Sequence, residues 1–128
     1  MRIQHYILDN LHIPTKKNRL RSAYRNGKVV FYHPKEISEF KKSAFYLLKS
    51  QLNKNYGGVG FSGKIAVSAV YFFKGKERDL DNMHTSVLDC LQSAGIIRND
   101  IDIVVSKEAK IKSGEDKVLL EISSHDEK

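Results

Sequence analysis

The chain has 128 residues, 41% hydrophobic and 29% charged, with a net charge of +7. That supports one domain around one modest core. The longest largely apolar run, Ile65 to Phe73, is far shorter than the ~20 residues a bilayer span takes, and a lone cysteine, Cys90, excludes an intramolecular disulfide. The excess of lysine and arginine points to a polyanionic partner, nucleic acid above all. No signal-peptide core follows Met1, so a cytoplasmic protein is expected.

Arg2 to Leu8 reads as a first strand. Pro14 and Asn18 make the next segment, to Arg19, a loop. Leu20 to Arg25 and Lys28 to Tyr32 flank Asn26-Gly27, which suits a type I′ hairpin turn. Pro34 is placed to open a helix, and Ile37, Phe40, Ala44, Leu47, Leu48 and Leu52 recur at helical spacing, so a helix is predicted over 34–53. The glycines between Asn55 and Gly60 follow a helix and precede a strand. A phosphate cradle needs the reverse order, so they read as a connector.

Ile65 to Phe73 is apolar on both faces, as in a central strand covered on both sides. Leu80 to Ala94 is a second helix, stopped by Gly95. Its apolar stripe is Met83, Val87, Cys90, Leu91 and Ala94; Asp81, Thr85, Asp89 and Gln92 lie opposite. Cys90 on that stripe reads as a buried, inert thiol. Ile101 to Ile111 and Val118 to Ser123 read as a closing hairpin across Ser113-Gly114-Glu115-Asp116, and the residues after Ser124 as a frayed end. The order β, hairpin, α, β, α, hairpin predicts a single α+β (mixed α/β) domain.

Against the basic background, Arg78-Asp79-Leu80-Asp81-Asn82 and, about twenty residues on, Arg98-Asn99-Asp100 place three carboxylates around the second helix. Gathered carboxylates repel each other, so a fold that brings them together needs a compensating cation. Each acid has a plain reading too: Asp81 as the helix N-cap, Asp79 as a loop acid, Asp100 as a turn residue. The spacing allows Asp79 and Asp81 to point to one side. Gly95 and Ile96-Ile97 are expected to turn the chain into the sheet and bring Asp100 alongside. Oxygen-only ligands suit Mg²⁺ or Mn²⁺, and no Cys/His set has zinc spacing.

Beyond Asn82 the pattern continues as Leu88-Asp89-x-Leu91-x-x-Ala94-Gly95-Ile96-Ile97-x-x-Asp100. In these residues, about 78 to 105, the chain resembles the RusA family of Holliday-junction resolvases, small endonucleases of bacteria and their prophages. The resemblance implies a homodimeric, Mg²⁺-dependent endodeoxyribonuclease that cuts four-way junctions in paired strands during recombination and repair. It implies that Asp79, Asp81 and Asp100 are the metal-binding catalytic acids, that Asn82 accompanies them, and that Asp89 is a secondary helix acid. Thr85 stands where the family commonly carries a catalytic lysine, which leaves Lys74, Lys76 or Arg78 to supply the cation, with His84 a poorer candidate. Asn99-Asp100 replaces the usual pair of acids.

Two basic clusters are expected to contact phosphate: Lys16, Lys17, Arg19, Arg21, Arg25 and Lys28 in the first loop and hairpin, and Lys74, Lys76 and Arg78 before the acids. Tyr24 and Tyr32 could stack at an opened junction or pack across the hairpin. A twofold dimer would match the near-twofold symmetry of a junction. Three rivals are a branched-DNA-binding protein impaired in catalysis through Thr85, a small-molecule phosphohydrolase using Asp-x-Asp, and a nuclease preferring other branched DNA. The second is disfavoured because Lys74-Gly75-Lys76-Glu77-Arg78 separates the motif from its strand.

Overall fold

The computed structural model describes residues 2–14, 21–32 and 35–125. Four strands form one mixed sheet: β1 (Ile3–Asp9), β4 (Ile65–Phe73), β5 (Ile103–Lys112) and β6 (Lys117–Ser124). A separate two-stranded sheet pairs β2 (Arg21–Arg25) with β3 (Lys28–Tyr32). Asn26 and Gly27 both take positive φ, 51° and 73°, as the type I′ reading requires. Pro34 lies outside the described residues, and α1 runs over Lys35–Tyr56.

The sheet order is β1-β6-β4-β5. β4 pairs antiparallel with β6 and parallel with β5. The expected closing hairpin is therefore corrected: β5 and β6 are not neighbours, because β4 lies between them. The physical reason is burial. β4 alternates fully buried and half-buried residues along its whole length, whereas no residue of β5 is fully buried. The most apolar strand takes the interior and the polar one takes the edge.

α1 and α2 (Leu80–Ser93) cover one face of this sheet. Phe40, Ala44, Leu48 and Leu52 of α1 meet Met83, Val87, Cys90 and Leu91 of α2 over Tyr6, Leu8, Val67, Ala69, Tyr71 and Leu120. Fully burying a side chain such as Leu91 contributes roughly 1.5–3 kcal/mol. The expectation that β4 is covered on both faces is not met. Val67, Ala69, Tyr71 and Phe73 lie under the helices, while Ala66, Ser68, Val70 and Phe72 are only half-buried. Burial pushes the Cys90 thiol up to about 11, so it stays protonated at neutral pH.

α2 stops as its sequence predicts. Ala94 caps it, Gly95 takes φ 78°, and the N–H groups of Gly95 and Ile96 donate to the carbonyls of Gln92 and Leu91. This is a Schellman closure, which satisfies the last free carbonyls of the helix. Gly60 packs against that turn so closely that a Cβ there would sit 2.2 Å from the Gly95 carbonyl oxygen. The connector glycines thus include one required by close approach.

Candidate active site

β4, α2 and β5 form a strand-helix-parallel strand crossover, and that topology decides where the acids lie. The chain leaves β4 at Phe73, passes through 74–79, runs back along α2, and re-enters the sheet at Ile103. The head of α2 is therefore at the C-terminal end of β5, and its tail is near the start of β5.

Asp79 is the N-cap of α2, in extended conformation at φ −78° and ψ 117°. Its Oδ1 accepts the N–H of Asp81 at 2.9 Å and of Asn82 at 3.4 Å. The expectation of Asp81 as cap is corrected: the helix begins one residue before Asp81, so the cap falls on Asp79. Asp81 is left in the first turn, exposed, beside the positive end of the helix dipole. Asn82 is half-buried, and its side-chain oxygen is buried with no hydrogen-bond partner among the described residues.

Asp100 opens a short 3-10 turn, Asp100–Asp102, capped by Asn99, whose side chain accepts the Ile101 N–H. The expected approach of Asp100 to the other two acids is not found within one chain. Ile103 and Lys110, which touches Arg78, stand seven positions apart on β5. At ~3.3 Å per residue that is about 23 Å of strand, so Asp100 and Asp79 lie toward opposite ends of β5, on the order of 20 Å apart. Among the described residues, no three His, Cys, Asp or Glu side chains could hold one metal ion. Ile96 and Ile97 are buried in the turn after α2, so the sheet is re-entered only at Ile103. Asp102 is buried and held by Arg98 through two hydrogen bonds of 3.1 and 2.9 Å. It is thereby occupied as a clamp on the turn that presents Asp100. Ile101 beside it is 77% exposed.

The basic residues divide. Lys28, Lys74 and Lys76 are exposed. Arg21 and Arg25 lie on β2, as does Tyr24, and Tyr32 ends β3. Lys16, Lys17 and Arg19 lie outside the described residues. Arg78 departs from expectation: it is only 5% exposed, and its guanidinium donates to the Ile13 carbonyl with His12 beside it. Burial lowers its pKa, with Asp116 opposing. It fastens the segment before Asp79 to the residues after β1, so it is not a surface phosphate contact. Asp116, also buried, accepts the Lys74 N–H at 3.3 Å and adds a second fastening.

Thr85 and Asp89 are exposed on α2. His84, one turn in from Asp81, is buried: Nδ1 lies 2.6 Å from the Tyr71 hydroxyl and Nε2 2.8 Å from Ser106 Oγ. Burial lowers its pKa from 6.5, with Glu108 and Asp81 opposing. A neutral His84 in the fold means that the unfolded chain binds more protons just below that value. Its contribution is complete above pH 6.5 and is lost as pH falls. Melting temperature should thus drop as pH falls below 6.5. His84→Gln should flatten that dependence; an equally steep curve in the variant would contradict this role.

Sequence reasoning missed Ser106, Glu108 and Lys110. They alternate along β5, so they share the face that looks toward α2. Polar residues at every second position where a helix should cover a strand were the available signal.

Comparison with known proteins settles the family. The family described as endodeoxyribonuclease RusA matches residues 12–123, which takes in the whole crossover and both ends of α2. The chain belongs to the RusA endodeoxyribonuclease family. A curated relative, the crossover junction endodeoxyribonuclease RusA of Aquifex aeolicus (strain VF5), is 27% identical over 117 residues, covering 90% of this chain and 86% of that protein. The RusA assignment makes this small mixed α/β domain a DNA-cutting enzyme. Among the described residues, no helix is long and apolar enough to cross a membrane.

Proposed function

We propose that this RusA-family endonuclease resolves Holliday junctions with a divalent metal, Mg²⁺ or Mn²⁺, acting as a homodimer in which Asp79 and Asp81 of one copy share a site with Asp100 of the other. The observation that carries this reading is the pair of exposed carboxylates, Asp79 and Asp81, fixed at the head of α2 in a chain of net charge +7. Asp79 and Asp81, with the neighbouring Asn82 whose side-chain oxygen has no hydrogen-bond partner among the described residues, offer oxygen donors only, the chemistry that fits a hard divalent cation. When bound, such an ion supplies acidified water and charge neutralisation at the scissile phosphate.

The chain's own residues do the rest. Asp79 spends one carboxylate oxygen on the helix amides, which fixes the direction of the other. The N-terminal dipole of α2 favours the phosphate anion at the same point. Exposed Lys74 and Lys76, just before the acids, draw the DNA backbone in and make binding salt-sensitive. Two acids at one end of a chain and one about 20 Å away form no common site alone. A twofold axis can set the tail of one α2 crossover against the head of the other, and it does so twice, as two symmetric cuts demand.

The test is cleavage of a synthetic four-way junction. Paired nicks in opposite strands with Mg²⁺ or Mn²⁺, and none in EDTA, are expected. Tight junction binding without nicking under any divalent ion would mark instead a binding protein that has lost catalysis at Thr85.

A further inference from the structure

We propose that Lys110, on the edge strand β5, is a positioning residue for the cleavage centre, holding the backbone from which Asp79 projects. The proposal rests on the reading of Asp79 and Asp81 as the cleavage carboxylates. Thr85 leaves α2 without the lysine that the RusA resemblance leads one to expect, and Arg78 is turned inward. The structure offers a cation from elsewhere in the sequence. Lys110 pairs in register with Tyr71 of β4, two residues before that strand ends at Phe73. Its ammonium donates to the Arg78 carbonyl at 2.6 Å and to Glu77 Oε1 at 2.6 Å.

The Arg78 carbonyl is one peptide bond from Asp79. Residue 78 is thus held at both ends: its guanidinium by Ile13, its carbonyl by Lys110. That fixes the extended conformation at Asp79, which in turn lets its carboxylate accept the Asp81 and Asn82 amides. The ion pair with Glu77 is the lesser part. The Glu77 side chain is 68% exposed, and exposed pairs contribute little. The Lys110 side chain is 32% exposed, and a lysine has three N–H donors, of which this arrangement uses two.

Two measurements on Lys110→Met separate positioning from other roles. In metal-free protein without DNA, the Asp81 and Asn82 amides should exchange at least about tenfold faster, while those of Val87 to Leu91 keep wild-type rates. In single-turnover junction cleavage, the rate should fall by about 30-fold or more with the junction Kd within about twofold. Glu77→Gln, which keeps the carbonyl bond, should cost less than about threefold in rate. Unchanged exchange at Asp81 and Asn82 would overturn the proposal, as would faster exchange throughout α2. A loss of binding that matches the loss of rate would make Lys110 a phosphate contact instead. The exchange measurement involves no cleavage, so it stands even if the wild-type protein cuts no junction.

Discussion

Asp81→Asn should lower junction cleavage in Mg²⁺ by about 10³-fold, keep junction binding equal to wild type or tighter, and leave the melting temperature unchanged. Each part has a separate physical cause. Cleavage falls because a neutral amide oxygen is a poor substitute for a carboxylate on a hard cation. Binding holds or tightens because one negative charge near the phosphate is gone. Stability changes little because the Asp81 carboxylate is exposed, and the helix-dipole attraction lost with its charge is offset by the repulsion from Asp79 that is lost with it. Asp79 is a less clean test, since it caps α2 and removing a cap costs about 1 kcal/mol on its own. Gel shift in EDTA, cleavage in Mg²⁺ and a thermal melt read the three parts. Cleavage within about tenfold of wild type would remove Asp81 from the centre. A clear fall in melting temperature would show it to be structural.

Local features of the fold were legible in the sequence because their causes are local. Asn26-Gly27 has the backbone freedom of its turn, Gly95 closes α2, and the apolar stripe from Met83 to Leu91 is buried where the helical period puts it. That Asp79 and Asp81 stand at the head of α2 was legible for the same reason, although the cap falls on Asp79 and not on Asp81. What failed was non-local. β5 and β6 are adjacent in sequence, and pattern alone made them a hairpin; only competition for the interior position inserts β4 between them. That error hid the next one. Because β5 runs parallel to β4, the chain must travel the length of α2 before re-entering the sheet, and Asp100 is carried away from Asp79. Arg78 looked like a surface cation because its buried partner, the Ile13 carbonyl, is 65 residues distant. Lys110 could not be connected to Asp79 at all without the register that pairs it with Tyr71.

The RusA relationship and the crossover geometry together yield one testable requirement. The resemblance implies that three acids share one chemistry, and the fold sets one of them apart from the other two. A site shared between two copies reconciles these facts and predicts complementation. Asp81→Asn and Asp100→Asn homodimers should each be inactive. After subunit exchange, a mixed dimer pairs the intact head of the Asp100→Asn chain with the intact Asp100 of the Asp81→Asn chain. Half the dimers in an equal mixture are mixed, and each has one good site of two, so nicking of a four-way junction should return to about a quarter of the wild-type level. Mixtures that exchange subunits yet stay as inactive as either variant alone would contradict the shared site, because sites built within single chains are all broken in the mixed dimer.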